Sequence, residues 1–237
     1  MKQTIKLMPT IIAVLSICLA LVLTSEPLSE VLSKTQLEYK PHTIIIDAGH
    51  GGVDGGAISC TGALESQINL EIALRLEELL HFLGFETKMI RRTDVSVYTD
   101  GETIAAKKIS DLKNRVQIVN ETDGGILISI HQNQFSDSKY SGAQVFYGKK
   151  EIAKDLAIKL QTAFVSNLNI GSNRKAKIAS GVYLMDKITN PGVLIECGFL
   201  SNLKEEALLR DPQYQKKLCA VIGATLSSYF GQGSKVT

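Results

Sequence analysis

Three residues able to perform hydrolysis stand at the ends of apolar runs. His50 follows TIIIDAG, His131 follows ILISI, and Glu196 follows GVLI. A fourth, Glu65, stands where the glycine-rich turn GHGGVDGG gives way to a periodic stretch. If the first two runs are neighbouring strands, the two histidines converge, and the loop can fold back to bring Glu65 beside His50. Two histidines and one glutamate form a catalytic zinc set that leaves a fourth position for water, which predicts one Zn2+ per chain. Each residue alone has a plainer reading. A histidine after a strand can be a hydrogen-bonded structural residue, and Glu65 can be a solvated first-turn carboxylate that favours the helix dipole. Only their combination points to metal. Glu196 interrupts the apolar run GVLIECGFL, where a buried carboxylate is costly unless paired or bound. Beside zinc it would take a proton from water and pass it to a leaving nitrogen. The alternative is a salt bridge to an arginine or lysine.

Other chemistries fit less well. A dinucleotide fingerprint needs glycine where Asp54 stands, and no G-K-[ST] follows the turn. The 26 basic and 24 acidic residues occur without long blocks of one sign, which excludes a nucleic-acid footprint. Cys60, Cys197 and Cys219 include no C-x-x-C pair, so they read as small structural thiols rather than a disulfide framework. On a regular strand Cys197 points away from the face of Glu196 and is a poor nucleophile to act with it, though a cysteine hydrolase using His131 stays as a rival. His42 and His81 read as surface or structural residues.

As for the elements that must hold these groups, 237 residues with 44% hydrophobic and 21% charged content suit one domain. TIIID leads to a helix over Gln67–Leu83, in which Ile68, Ile72, Leu76, Leu79, Leu80 and Leu83 share a face and Gly84 is the stop. The strand FETKMIRR follows, then a polar loop from Thr93 to Lys108 long enough to be functional, a helix around Leu112, Val116 and Val119, and the buried run GILISIH. The second half repeats the alternation with AQVFYG, a helix over Glu151–Leu168, the basic loop GSNRKAK, then GVYLM and GVLIECG. Asp211 and Pro212 open a last helix with Tyr214, Leu218, Val221, Ile222 and Tyr229 on its inner face. This order predicts a single-domain α/β fold with a mostly parallel or mixed central sheet and helices on both faces. In such sheets functional groups gather beyond the carboxyl ends of the strands, where His50, His131 and Glu196 lie.

The N-terminus differs in kind. Lys2 and Lys6 precede the uncharged run IIAVLSICLALVL, which reads as an export signal, cleaved or kept as a membrane anchor. The expected organisation is a signal peptide or anchor over 1–24, a polar tether over 25–41, a catalytic domain over 42–231 and a short tail over 232–237.

The pieces IIIDAGHGGVDGGA with Glu65 after it, SIHQN, SGAQVFYG, and GVLIECGFLSN followed by EEALLRDPQYQKK resemble the zinc-dependent N-acetylmuramoyl-L-alanine amidases of the Amidase_3 type, from about Thr43 to Phe230. The resemblance implies zinc on His50, Glu65 and His131, Glu196 as acid/base, and hydrolysis of the amide between the lactyl group of N-acetylmuramic acid and L-alanine. The short export segment, the lack of a wall-binding module, and the stretches SGAQVFYG, RKAK and GVYLM are similar to the spore-cortex branch found in endospore formers. That likeness implies an exported enzyme acting on cortex peptidoglycan, on the route to muramic-δ-lactam and germination, in the cortex or between the forespore membranes. It also makes an accessory activating or targeting protein plausible. Gln132, Ala48 and Cys197 depart from the commoner family residues and bear on substrate fit. Asn133 and Gln132, close to a ligand, and Arg174, Lys175 and Lys177, in the basic loop, are candidate substrate contacts. The competing readings are a vegetative amidase for cell separation and a wall-binding protein that does not cut.

Overall fold

Every residue of β1 (Ile44–Ala48) is buried, which a strand achieves only when both faces of its sheet are covered. The protein's structure, a computed structural model, describes residues 43–232. The expected export segment, tether, His42 and C-terminal tail lie outside them. The other strands are β2 (Thr87–Met89), β3 (Ile126–Asn133), β4 (Gln144–Tyr147), β5 (Lys177–Ile178) and β6 (Gly192–Phe199), in the spatial order β2-β1-β3-β6-β4-β5. The first four of that order run parallel, while β4 is antiparallel to β6 and carries β5 parallel to itself. The sheet is therefore mixed, as expected.

Among the described residues six helices accompany it: α1 (Glu65–Phe82), α2 (Ile104–Asn120), α3 (Glu151–Asn167), α4 (Tyr183–Lys187), α5 (Leu203–Leu209) and α6 (Pro212–Gln232). Because side chains alternate along a strand, one face sends Ile44, Ile46, Ile128, Ile130, Val193 and Ile195 against Ile72 and Leu76 of α1, Leu160 of α3 and Leu218 and Ile222 of α6. The opposite face sends Ile45, Leu127 and Leu194 against Val119 of α2 and Leu184 and Met185 of α4. That second core is smaller. By the same alternation this face also carries Asp47, Ser129, His131, Glu196 and Gln144, and the site emerges from it at the carboxyl ends of β1, β3 and β6.

Helix α1 matches its predicted inner face at Ile68, Ile72, Leu76 and Leu80, but begins two residues before the predicted Gln67. No side chain caps it. Its first N–H groups are taken by the preceding loop, Glu65 N donating to Ala57 O at 2.9 Å and Ser66 N to Gly55 O at 3.1 Å. Asp211 caps α6 as predicted, accepting from Gln213 N at 3.0 Å. Three expectations need correction. The buried face of α2 is Ser110, Asp111, Arg115 and Val119 rather than an apolar stripe through Leu112, because Arg115 pairs with Asp47 of β1 and with Asp111. GVYLM runs into α4 at Tyr183 instead of forming a strand, since a five-residue apolar run fits either state. The edge strand β5 lies instead within the basic segment. Among the described residues no helix is long and apolar enough to cross a membrane.

Candidate active site

His50 lies just beyond β1 with φ of 63°, the one positive-φ non-glycine among the described residues. Such a conformation persists only where its surroundings hold it. Here two buried arginines hold it. Arg91 donates to the carbonyls of Ala48 (2.8 Å), Gly49 (3.0 Å) and Ser66 (2.8 Å), and Arg115 donates to those of Ala48 (3.0 Å) and His50 (2.6 Å). Gly49 is required for a different reason. A Cβ there would lie 2.2 Å from Cε1 and Nε2 of His131, so the glycine gives the second ring its space.

Glu65, 3% exposed, opens α1 between the two imidazoles. Its Oε2 lies 3.3 Å from Nε2 of His50 and its Oε1 3.0 Å from Nδ1 of His131. Donors from three elements fix it: Ala57 N (2.9 Å), Gln132 N (3.1 Å) and Asn69 Nδ2 (3.2 Å). The imidazoles meet edge to face with centroids 5.0 Å apart. One donor atom from each of His50, Glu65 and His131 falls within 4.8 Å of the other two. This nitrogen and carboxylate set, carried by the turn after β1, the start of α1 and β3, fits zinc. Burial opposes charge on His50, but the Asp54 and Glu65 carboxylates outweigh it and raise its pKa to about 9. The hydrogen bond from His50 holds Asp54 far below the usual carboxylate range. Burial works against ionisation of Glu65 as well, yet the two imidazoles keep it strongly ionised.

Glu196 pairs in register with His131 on the neighbouring strand, so the two side chains rise side by side. Its Oε2 is out of water and has no hydrogen-bond partner, and no lysine or arginine pairs with it among the described residues. The salt-bridge alternative is not realised. Burial lifts its pKa to about 7, with the nearby Glu65 adding to the rise and His131 opposing it. A carboxylate poised there suits general acid and base work near neutral pH. Cys197 is fully buried on the other face, and burial pushes its thiol far above the usual range. That overturns the cysteine-hydrolase reading, which needs an accessible thiolate.

Residues that sequence reasoning missed surround the three candidate donors. Asp54 Oδ2 receives His50 Nδ1 at 2.9 Å and thereby aims Nε2 at Glu65, while Lys108 reaches Asp54 at 2.7 Å. Asp47 links Arg115 to Ser129 Oγ. The loop after β2 does border the site, with Asp94 accepting from Gly52 N at 3.2 Å and Ser96 Oγ donating to Gly51 O. Gln132 is a correction: 3% exposed, it sends its amide toward α1, where Nε2 donates to Asn69 Oδ1 at 3.1 Å, so it braces Glu65 from behind rather than lining the cleft. Half-buried Asn133 lies opposite Phe199, beyond a register irregularity. Lys175 and Lys177 are exposed, and Arg174 is half-buried beside Gln144.

Residues 44–228 match the family model described as "N-acetylmuramoyl-L-alanine amidase", Amidase_3. The germination-specific N-acetylmuramoyl-L-alanine amidase of Bacillus subtilis is 40% identical over 189 residues, 79% of each chain. AmiA of Escherichia coli is 26% identical over 79% of this chain and 75% of its own. Among solved structures, the CwlD amidase of Clostridioides difficile, in complex with the GerS lipoprotein, aligns with a TM-score of 0.77 at 40% identity, over 80% of this chain and 98% of that one. With its sheet, its site and these likenesses in agreement, the chain belongs to the Amidase_3 family of N-acetylmuramoyl-L-alanine amidases.

Proposed function

We propose that the protein binds one zinc ion on His50, Glu65 and His131 and hydrolyses the amide joining the lactyl group of N-acetylmuramic acid to the stem-peptide L-alanine. The observation that carries this reading is Glu196, whose buried Oε2 has no hydrogen-bond partner, rising beside a preassembled set of candidate metal donors. When bound, zinc would polarise the scissile carbonyl and make water a nucleophile near neutral pH. Glu196 takes the proton of that water at its carboxylate as the C–O bond forms, then returns it to the departing nitrogen as the C–N bond breaks. Asp54 and Asn69 keep His50 and Glu65 in the orientation that binding requires. The products are the lactyl carboxylate on the glycan and a stem peptide with a free amino terminus.

The likeness to the germination-specific relative supports spore-cortex peptidoglycan as the substrate, reached outside the cytoplasm, on the way to the lactam that marks cortex for germination. The lipoprotein bound to the Clostridioides difficile enzyme supports an accessory lipoprotein as partner here. The test is peptide release from purified cortex peptidoglycan by the zinc-loaded full chain, with and without a chelator. Glu196→Gln is expected to lower the rate about 10²- to 10⁴-fold while keeping stoichiometric zinc. If that variant instead cuts as fast as wild type, the assignment of the acid/base is overturned.

A further inference from the structure

The row of polar residues does not stop at Glu196. Gln144 of β4 stands opposite Glu196 in the antiparallel pair, as His131 does in the parallel one, so His131, Glu196 and Gln144 lie on one face across three adjacent strands. Gln144 is 2% exposed, and its orientation is fixed because Nε2 donates to Gln161 Oε1 (3.1 Å) and Lys175 O (2.8 Å). Its Oε1 accepts from Nη1 of Arg174 at 3.4 Å. The Arg174 guanidinium also lies over Phe199, 5.1 Å from the ring centre, while Nε donates to Ser141 O at 3.2 Å. It is a cation held in place against Gln144, whose own row position is one strand spacing, about 5 Å, beyond that of Glu196.

Among the described residues no carboxylate forms an ion pair with Arg174. Glu205, the acid that feels its field, is occupied by Gly142 N (2.8 and 2.9 Å) and Phe199 N (2.9 Å). Nη2 donates to no group among the described residues, which leaves an edge of the planar fork open to a carboxylate. Tyr140, stacked on Phe199 at 6.1 Å, and Phe135, edge-on to Tyr140 at 5.2 Å, continue the apolar wall beside it, 39% and 55% exposed. A guanidinium at the end of an aromatic shelf, in line with the acid/base, suits an extended peptide that carries a negative charge a short distance from the bond to be cut.

We infer that Arg174 is a specificity-determining residue that anchors a free carboxylate of the stem peptide, so that the cleft discriminates against peptides whose carboxylates are amidated. The inference rests on the amidase reading and adds to it the charge state of the accepted peptide. A charge-assisted pair of this kind is expected to give roughly a 10- to 100-fold preference. Two soluble muropeptides, identical except that the stem-peptide carboxylates are free in one and amidated in the other, test it with the zinc-loaded full chain. The free form is expected to show the lower KM, Arg174→Gln to bring the kcat/KM ratio of the two toward unity, and Arg174→Lys to restore part of it. An equal loss on both substrates with the ratio intact would make Arg174 a brace and overturn the anchor. Calorimetry with the released stem peptides, free and amidated, separates this from the parent reading. Turnover without preference defeats the anchor alone, whereas preferential binding without turnover of either substrate supports the anchor and defeats the amidase assignment.

Discussion

Replacing Asp54 with alanine removes the acceptor that fixes the His50 ring through Nδ1, 2.9 Å away. Partners of this kind are worth about 10- to 100-fold in metal affinity, roughly 1.4–2.7 kcal/mol. The same carboxylate also works against the metal, because it helps raise the pKa of His50 to about 9. At about pH 7 zinc must displace that proton, and a pKa about two units above the solution costs about 100-fold in apparent affinity. Without Asp54 only Glu65 still raises the ring, so this penalty shrinks. The released Lys108 adds little, being an exposed partner. Gain and loss therefore separate with pH. Near about pH 7 Asp54→Ala is expected to bind zinc within about 10-fold of wild type, and near about pH 9, with proton competition reduced to about twofold, most of the 10- to 100-fold deficit should emerge. Competition against a fluorescent chelator across that range reads both. A deficit that is constant with pH, or that narrows as pH rises, would refute the opposing roles assigned to Asp54.

Two further outcomes follow from the same geometry. Gly49→Ala places a methyl 2.2 Å from the His131 ring, so zinc content should fall toward zero, with a stability loss of about 1–3 kcal/mol from overpacking; a folded variant with stoichiometric zinc would defeat this. In the metal-free protein His50 holds its proton more tightly folded than unfolded, so its contribution is complete below the ordinary value of 6.5 and is lost as pH rises through about 9. Glu65, depressed from its ordinary 4.5, contributes above that value and loses its effect as pH falls below it. The melting temperature of the metal-free chain should therefore decline from about pH 6.5 to about pH 9, and calorimetry showing a flat or rising profile there would contradict the charge assignment.

The convergence of His50, Glu65 and His131 was legible because histidine and glutamate are conspicuous where apolar runs end, and because a strand, a glycine turn and a periodic helix place such ends together. Arg91 and Arg115 were not. An arginine at a strand end or on a helix reads as solvated until its partner is known, and Asp47, which draws Arg115 inward, is 68 positions away in the chain. Asp54 was noticed only as a residue that spoils a glycine fingerprint, since its role depends on a turn whose φ angles the sequence does not display. Gln132 misled for the opposite reason. It adjoins a ligand in sequence, but a strand's period of two turns its side chain to the other face. GVYLM and the short β5 show the same limit, for a brief apolar or basic segment fits either state.

The sheet ends in β2, three residues long, on one side and β5, two residues long, on the other. Such stubs offer little template for pairing with another chain. They also grade the molecule's resistance to opening. His131 and Glu196 stand on eight-residue strands at the centre, reachable by local unfolding only if much of the sheet gives way. Arg174 precedes the weakest strand of all, where fraying costs least. His131 and Glu196, two of the four groups of the proposed chemistry, thus reside where opening is expected to cost most, while Arg174, pinned by Gln144 and Ser141, stands beside the margin where it is expected to cost least.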